Sequence, residues 1–283
     1  MPPDQLASLL AAASARLKAA GSDTPVLDAR LLLQAAAGFS REDLIMGPDC
    51  TLSPGQAARF ESFIARREEH EPVSRILGER EFYGRAFKVT PDTLDPRPDT
   101  ETIIEAALPR IGKGARLLDL GTGTGAIAIT LLAERPESTG VATDLSPAAL
   151  AVAGENARAL GVADRLTLLE GSWLEPVTGA FDIILSNPPY IPAGDIATLS
   201  PDVRNHDPGL ALVGGTDGLD PYRIIASGAA AHLAAGGHVL VEIGAGQAED
   251  ITAIFTQHGF RAAGRYRDLG GHERCLAFNR PEK

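Results

Sequence analysis

The sequence predicts an α/β protein in which a small helical bundle is joined by a β-hairpin linker to a doubly wound sheet of seven strands. Apolar residues in the first 72 positions recur with helical spacing. From Thr100 onward, short apolar runs alternate with helical segments, which is typical of a parallel sheet. We therefore predict a helical domain over 1–72, a linker over 73–98 and the sheet domain over 99–283.

The amino-terminal bundle is predicted from three helical segments. The first has an apolar stripe at i, i+3, i+4, i+7 and i+11, formed by Leu6, Leu9, Leu10, Ala13 and Leu17. A second helix begins at Pro25 and ends at Gly38, and it carries Leu27, Leu31 and Ala35. Ser53 and Pro54 are typical of an N-cap and first turn, and open the third. We expect this bundle to be either a stabilising cap or a docking surface for a macromolecular substrate.

The linker combines a hairpin with an extended stretch. Residues Glu81–Val89 place aromatic and β-branched side chains around a glycine, which favours two short antiparallel strands. Pro91, Pro96 and Pro98 then restrict the backbone to extended conformations.

Seven strands are predicted in the remaining chain. Five of them alternate with helices, at Ala115–Leu120, Gly140–Thr143, Leu166–Leu169, Phe181–Leu185 and His238–Ile243. Ala126–Glu134 is predicted as the helix after the first strand, and Ser146 with Pro147 begins the helix after the second. The last two strands, Arg261–Tyr266 and Arg274–Phe278, flank two glycines and are predicted to form a closing hairpin.

Composition excludes several classes of function. The net charge of −11 disfavours binding to duplex nucleic acid. No uncharged apolar run is long enough for a membrane span, and Met1–Asp4 lacks the start of a signal peptide, so we expect a cytoplasmic protein. Cys50 and Cys275 are isolated and the six histidines are scattered, so we expect neither a disulfide framework nor a metal site.

A glycine-rich turn and an acidic residue predict a nucleoside-binding site. The segment Asp119–Ala126 joins a strand to a helix, where glycines allow a ligand close to the backbone and the first N–H groups of the helix are free. Asp144 ends the next strand and can accept hydrogen bonds from both ribose hydroxyls of an adenosine ligand. NAD and S-adenosylmethionine share that ribose, so an NAD-dependent oxidoreductase remains an alternative at this point.

The tetrapeptide Asn187-Pro188-Pro189-Tyr190 favours a different chemistry. It follows a strand at the carboxyl edge of the sheet, where ligands of such sheets bind. The side-chain oxygen of Asn187 and the carbonyl of Pro188 can accept both hydrogens of a planar –NH2 group, and Tyr190 offers a flat apolar face. An oxidoreductase gives this tetrapeptide no role.

The chain resembles the protein-(glutamine-N) methyltransferase family, which modifies class 1 peptide chain release factors. The resemblance extends over nearly the whole chain and is carried by the glycine turn, by Asn187–Tyr190, and by the segments 72–84, 96–101, 211–219 and 267–271. It implies a Rossmann-like methyltransferase sheet, S-adenosyl-L-methionine as the methyl donor and no metal. It also implies a release factor as the protein substrate, and we expect a monomer that acts on neither DNA nor membranes.

The resemblance also implies which residues form the site. The residues expected to contact the methyl donor are Gly121, Thr122, Gly123, Thr124, Gly125, Asp144, Trp173 and Asn187. The residues expected to hold the target glutamine are Asn187, Pro188, Pro189 and Tyr190, with Asn187, Pro188 and Tyr190 acting in catalysis. Arg97 and Glu101 are expected either to orient the methionine end of the donor or to form structural salt bridges. Two departures from the family pattern are Asp99, where a glutamate is usual, and Asn205–Pro208, where the family commonly has Glu-Pro.

Three further functions remain open at the level of sequence. A sister enzyme that methylates a glutamine of a large-subunit ribosomal protein shares the Asn187 motif. An adenine-amino DNA methyltransferase also grips an –NH2 group, but it needs a basic surface and base flipping. A module that binds the donor without catalysis leaves the acceptors at Asn187 unexplained. For the amide reaction we predict that no histidine or carboxylate acts as a general base.

Overall fold

The computed structural model describes residues 3–40 and 52–280. Two compact units are present: one comprises Met1–Gly78 and Ser200–His206, and the other Glu79–Leu199 and Asp207–Lys283. The predictions made for the start of the chain and for Cys50 lie outside the described residues. Among the residues that are described, no helix has the length and apolarity needed to cross a membrane.

The strands occur in the order that the sequence predicts, whereas the helix at Val73–Leu77 lies in the stretch that was predicted as a linker. The helices are α1 (Pro3–Ala19), α2 (Pro25–Ala37), α3 (Pro54–Glu68), α4 (Val73–Leu77), α5 (Glu101–Ala107), α6 (Ala126–Glu134), α7 (Pro147–Ala159), α8 (Pro201–His206), α9 (Asp220–His232) and α10 (Ala248–Gln257). The strands are β1 (Glu79–Phe82), β2 (Arg85–Lys88), β3 (Arg116–Leu120), β4 (Thr139–Asp144), β5 (Leu166–Glu170), β6 (Phe181–Ser186), β7 (Leu233–Glu242), β8 (Arg261–Arg267) and β9 (Glu273–Asn279).

The first unit is a helical bundle held by apolar packing and by a buried arginine that pairs with two carboxylates. Its core includes Leu17, Leu32 and Ile64, all fully buried. The buried guanidinium of Arg67 bridges two carboxylates, with 2.8 Å to Asp28 and 2.9 Å to Asp202. Such a pair resists removal of one partner, because the other charge would remain buried.

Local signals at the helix ends agree with the sequence. The Ser53 hydroxyl accepts the N–H of Gln56 while the Gln56 side chain accepts the N–H of Ser53, which is a full capping box. Gly38 ends α2 with a left-handed φ of 72°. The predicted apolar face of α2 is wrong, however. Leu27 is exposed, and the helix buries Leu32, Leu33 and Ala36 instead. Because α2 is apolar nearly all round, periodicity could not determine which side faces the core.

In the second unit, β1 and β2 form the predicted hairpin, and the other strands form one seven-stranded sheet. The strand order is β5-β4-β3-β6-β7-β9-β8. All neighbours are parallel except β9, which runs antiparallel to β7 and β8 and so forms the predicted closing hairpin. The α/β prediction with seven strands and an amino-terminal helical region is confirmed.

Helices cover both faces of this sheet. Leu117 packs in a cluster with Ile104 of α5 and Ile127 of α6. Its neighbour Leu118 packs in a second cluster on the opposite face, with Tyr222 of α9 and Phe255 of α10. The two clusters fix the sheet rigidly, and therefore the positions of the residues at its carboxyl edge.

The order of the strands defines where a ligand can bind. From β3 the chain proceeds through β4 to β5 on one side, and then returns to place β6 and β7 on the other. In open α/β sheets, ligands bind outside the carboxyl ends of the strands at such a switch point. The residues that follow β3, β4, β6 and β7 therefore converge on one crevice.

Candidate active site

The crevice at this edge is a cleft of about 330 Å³. Of the residues predicted for the site, those that line the cleft are Gly121, Thr122, Gly123, Thr124, Asp144, Trp173, Asn187 and Pro189. Gly125, Pro188 and Tyr190 are not among the lining residues. The sequence motifs thus do lie together, although three of their members do not line the cleft.

The glycine turn is wound tightly between β3 and α6. The N–H groups of Gly121 and Thr122 both donate to the carbonyl of Thr143 at 2.9 Å, and Gly123 has a left-handed φ of 56°. A Cβ at Gly123 would meet nothing within 4 Å, so this face of the turn is open. A Cβ at Gly125, by contrast, would lie 2.6 Å from the side chain of Ile129. Gly123 thus leaves room for a ligand, whereas Gly125 allows α6 to pack closely.

Asp119 fixes the shape of that turn from below. Its buried carboxylate accepts the hydroxyl of Thr122 at 2.6 Å and the N–H of Ala128 at 3.4 Å. Burial raises the pKa of Asp119 to about 6, and the hydrogen bond from Thr122 partly offsets this rise. The sequence identified Asp119 as the first residue of the motif but did not predict that it stabilises the turn.

Asp144 is held by backbone donors on both sides. Its Oδ2 accepts the N–H of Gly123 and its Oδ1 that of Ser146, both at 2.9 Å. Each carboxylate oxygen retains a lone pair, so the side chain can still accept hydroxyl groups from a ligand in the cleft. The residues present therefore fit the ribose of an adenosine ligand.

Trp173 closes the cleft beside the glycine turn. Its backbone has a φ of 49°, an uncommon value for a bulky residue, and its carbonyl accepts the hydroxyl of Thr143 at 3.0 Å. An added Cβ at Gly121 would lie 3.5 Å from the indole ring. The indole ring thus lies against the glycine turn.

The Asn187–Tyr190 segment leaves β6 and is supported by a second loop. Gly214 donates its N–H to Ile191 at 2.9 Å, and Ile191 donates its own to Leu212 at 3.0 Å. Gln247 donates from Nε2 to the carbonyl of Tyr190 at 3.0 Å. The segment 211–219, which the resemblance singled out without a role, therefore braces the tetrapeptide.

Asn187 is half-buried, and its amide nitrogen is engaged by the protein. Nδ2 donates to the hydroxyl of Thr100 at 3.2 Å. Burial raises the pKa of Glu242, the last residue of β7, and hydrogen bonding from Thr100 and Asn187 lowers it. Sequence reasoning missed Thr100 and Glu242. The available signal was an acidic residue that ends an otherwise apolar strand at the ligand-binding edge.

Three charged residues at the linker have structural partners. Arg97 lines the cleft and forms an ion pair with the buried Asp207 at 2.6 Å. Glu101 accepts the N–H of Tyr83 in the hairpin turn at 2.9 Å. Asp99 pairs with Arg274 at 3.2 Å. Arg97 thus lines the cleft and also forms a salt bridge, whereas the contact of Glu101 is with a backbone N–H, and the roles of both residues stay predictions.

Glu242 should make the stability of the protein depend on pH. Burial raises its pKa from 4.5 to about 7. Between these values the unfolded chain is ionised while the folded protein keeps its proton, so the free energy of unfolding falls as the pH rises. A Glu242→Gln variant lacks this titration. Its free energy of unfolding relative to wild type should therefore rise by about 3 kcal/mol between pH 4.5 and about 8.

Urea denaturation at a series of pH values measures this difference. Any constant loss from the altered hydrogen bonds cancels when the two ends of the pH range are compared. A difference between variant and wild type that stays the same at every pH would show that Glu242 titrates like an exposed glutamate.

Comparison with protein families divides the chain into two matches. Residues 8–78 match the PrmC N-terminal domain, and residues 98–199 match the methyltransferase small domain.

Curated relatives align over almost the entire chain. The release factor glutamine methyltransferase of Cereibacter sphaeroides is 52% identical, and the alignment covers 97% of this chain and 98% of that protein. The release factor glutamine methyltransferase of Agrobacterium fabrum is 47% identical, with 96% of each chain covered.

Solved structures support the fold. A methyltransferase from Pyrococcus furiosus superposes with a TM-score of 0.54 at 20% identity, over 70% of this chain and 89% of that one. The ribosomal protein L11 methylase of Lactobacillus delbrueckii subsp. bulgaricus gives a TM-score of 0.50 at 22% identity, over 72% and 89%. At these identities the likeness concerns the sheet and its helices alone.

Proposed function

The chain belongs to the family of release factor glutamine methyltransferases, and from this we propose that it methylates the side-chain amide of the glutamine in the Gly-Gly-Gln motif of class 1 release factors. S-Adenosyl-L-methionine is the methyl donor of this proposal. The observation that carries it is the identity of 52% to a named relative over 97% of the chain. The cleft supports it, because Asp144 and Asn187 line the same space.

The chemistry makes the amide the difficult partner. When bound, S-adenosyl-L-methionine supplies an activated methyl group on a sulfonium. An amide nitrogen is a poor nucleophile, because its lone pair is delocalised into the carbonyl. In the proposal, Asn187 Oδ1 and the carbonyl of Pro188 accept the two N–H groups and aim the nitrogen at the methyl carbon. Such positioning can lower the barrier by roughly 7–11 kcal/mol.

The two acceptors also match the charge that develops. As the nitrogen–methyl bond forms and the bond from the methyl carbon to the sulfonium sulfur breaks, the amide nitrogen gains positive charge, which two oxygens directed at its hydrogens stabilise. The methylated nitrogen then loses one proton to solvent. Tyr190, which is half-buried, keeps its proton because burial and the nearby Glu242 raise its pKa. We assign it a packing contact with the amide group rather than proton transfer.

The donor side of the cleft is assigned by the same reasoning. We propose that Asp144 accepts both ribose hydroxyls and that the open face at Gly123 admits the donor against the backbone. We propose that the amino-terminal helices over 1–72 form the surface that recognises the release factor.

Incubation of the protein with labelled donor and purified release factor tests this function. Mass spectrometry should find one added methyl group on the Gly-Gly-Gln glutamine and none on a release factor in which that glutamine is alanine. An enzyme that methylates a large-subunit ribosomal protein would instead label a glutamine of that protein, so ribosomal subunits are assayed as the second substrate. Label on the ribosomal protein with none on the release factor would reject the proposal.

The segment 211–219, which supports Asn187–Tyr190, gives a further prediction. A Cβ at Gly214 would lie 2.6 Å from the carbonyl oxygen of Pro189 and would have to displace it. Gly214→Ala should therefore lower kcat about tenfold through misplacement of the acceptors, with less effect on donor affinity. Steady-state kinetics and donor titration measure the two quantities.

Gly194→Ala is the matched control, because an added Cβ there meets nothing within 4 Å. It should leave kcat at the wild-type value. Equal activity of Gly214→Ala and Gly194→Ala would show that the brace does not determine the acceptor geometry.

A further inference from the structure

A buried carboxylate stands at the end of β7, directly behind the acceptor asparagine. Glu242 is only 3% exposed, and its Oε2 has no hydrogen-bond partner among the described residues. Burial of a carboxylate without full pairing costs stability. Proteins typically accept such a cost where the residue serves the function of a site.

Glu242 acts on the site through two donors. Asn187 Nδ2 donates to Thr100 Oγ1 at 3.2 Å. Hydrogen bonding from the same two side chains lowers the pKa of the buried Glu242 carboxylate. The Thr100 hydroxyl has one proton, so it can accept from Asn187 and donate to Glu242 at the same time. The three side chains thus form a directed chain, from the amide to the hydroxyl to the carboxylate.

The direction of this chain decides which end of the Asn187 amide faces the cleft. Above the pKa of Glu242, which burial raises to about 7, its carboxylate is ionised and only accepts hydrogen bonds, and a hydroxyl that donates to it can only accept from a third group. The amide nitrogen of Asn187 must therefore point toward Thr100 and Glu242. If the amide were flipped, Oδ1 would meet acceptors and the nitrogen would face the cleft.

Only one of these orientations serves the reaction. A substrate amide nitrogen presents hydrogens, so the site must offer it an oxygen. A flipped Asn187 would oppose –NH2 to –NH2 and lose the contact on which the proposed transfer depends.

Other charged and titratable groups surround Glu242 from several elements. Arg274 and Cys275 lie on β9, Tyr222 on α9, Tyr190 follows β6, and Asp99 precedes α5. Arg274 is the one cation among these five, and it forms ion pairs with Asp99 and Asp268. Direct contact between Glu242 and the site is through Thr100 and Asn187.

We propose that Glu242, acting together with Thr100, is a positioning residue that fixes the Asn187 amide with its oxygen toward the substrate nitrogen. This inference rests on the proposed function. Glu242 does not touch the substrate and carries no proton in the reaction; its role is to exclude the wrong orientation of Asn187.

Isosteric variants test the chain of contacts. Glu242→Gln can donate as well as accept, so it removes the preference, and Thr100→Val removes the hydroxyl. At pH 8, where the wild-type Glu242 is ionised, each should lower kcat for release factor methylation about 10- to 100-fold and change the KM for the donor by less than about twofold. Thr100→Ser should recover the rate that Thr100→Val loses.

The double variant distinguishes positioning from general packing. If Glu242 and Thr100 act as one chain, Thr100→Val/Glu242→Gln should be no slower than the slower single variant. Losses that multiply would overturn the proposal. Tyr222→Phe is the control, because Tyr222 donates only to the main-chain carbonyl of Glu242 at 2.8 Å. It should lower the melting temperature and leave kcat unchanged.

Failure of this inference is separable from failure of the proposed function. If the wild-type protein does not methylate the release factor, the function itself is wrong. If it does so and Glu242→Gln is equally fast, or Tyr222→Phe is as slow as Glu242→Gln, the positioning role alone is rejected.

Discussion

Replacement of Asn187 by alanine should lower the rate of release factor methylation by about 10²- to 10³-fold. The variant loses the side-chain oxygen that we propose accepts one N–H of the target amide, so the nitrogen is no longer aimed at the methyl carbon. Asn187 is only half-buried, and its contact to Thr100 is a single hydrogen bond, so the fold should persist. Single-turnover kinetics with saturating enzyme measures the loss of the chemical step.

Two further measurements on the same variant make the result interpretable. Thermal unfolding should remain cooperative, and donor affinity should change by less than about tenfold, because Asp144 and the glycine turn are intact. Asn205→Ala, at an exposed asparagine of α8, should be as active as wild type. Methylation by Asn187→Ala at the wild-type rate would show that the chemistry takes place elsewhere.

Replacement of Asp144 by alanine should raise the Kd for S-adenosyl-L-methionine by about 10²- to 10³-fold. The variant loses a charged acceptor for both ribose hydroxyls, and hydrogen bonds to charged groups contribute about 1.5–3 kcal/mol each. It also releases the N–H groups of Gly123 and Ser146, which shape the cleft. Asp144→Asn keeps one acceptor and should give an intermediate value.

Isothermal titration with the donor measures this effect, with Glu170→Gln as the control. Glu170 pairs with Asp144 in the register of β4 and β5, but it is exposed and is not among the residues that line the cleft. Its variant should bind like wild type. Unaltered affinity in Asp144→Ala would mean that the ribose binds elsewhere, and it would reject the proposed donor site.

Much of the fold follows from local sequence. The turn from β3 to α6 is specified by Gly121–Gly125, and the start of α7 by Ser146 and Pro147, whose cap is present with the Ser146 hydroxyl accepting the N–H of Ala149. These signals act within a few residues of one another. They do not depend on the rest of the protein, which is why one sequence suffices to read them.

The predictions that failed or were not made depend on distant parts of the chain. The buried face of α2 depends on which helices pack around it, and its apolar composition leaves the choice open. Glu242 joins Asn187 only because β7 lies next to β6 in the sheet. Thr100 reaches the same place from a segment 87 residues earlier.

The site was accordingly predicted in part. Motif residues that line the cleft could be named, since their spacing around strand ends is itself the signal. Residues that orient them could not, since an isolated glutamate at the end of a strand is as compatible with a solvated edge. The role of the loop at Gly214 likewise becomes visible only when its contact with Pro189 is seen.

A crystal structure of the protein with S-adenosylhomocysteine and a glutamine-containing release factor is the most direct test of how the amide is held. Asn187 Oδ1 and the carbonyl oxygen of Pro188 should each lie within about 3.2 Å of the glutamine side-chain nitrogen, which should face the position of the transferred methyl group. A complex in which these two oxygens point away from the glutamine, while the nitrogen is held by other groups, would contradict the mechanism.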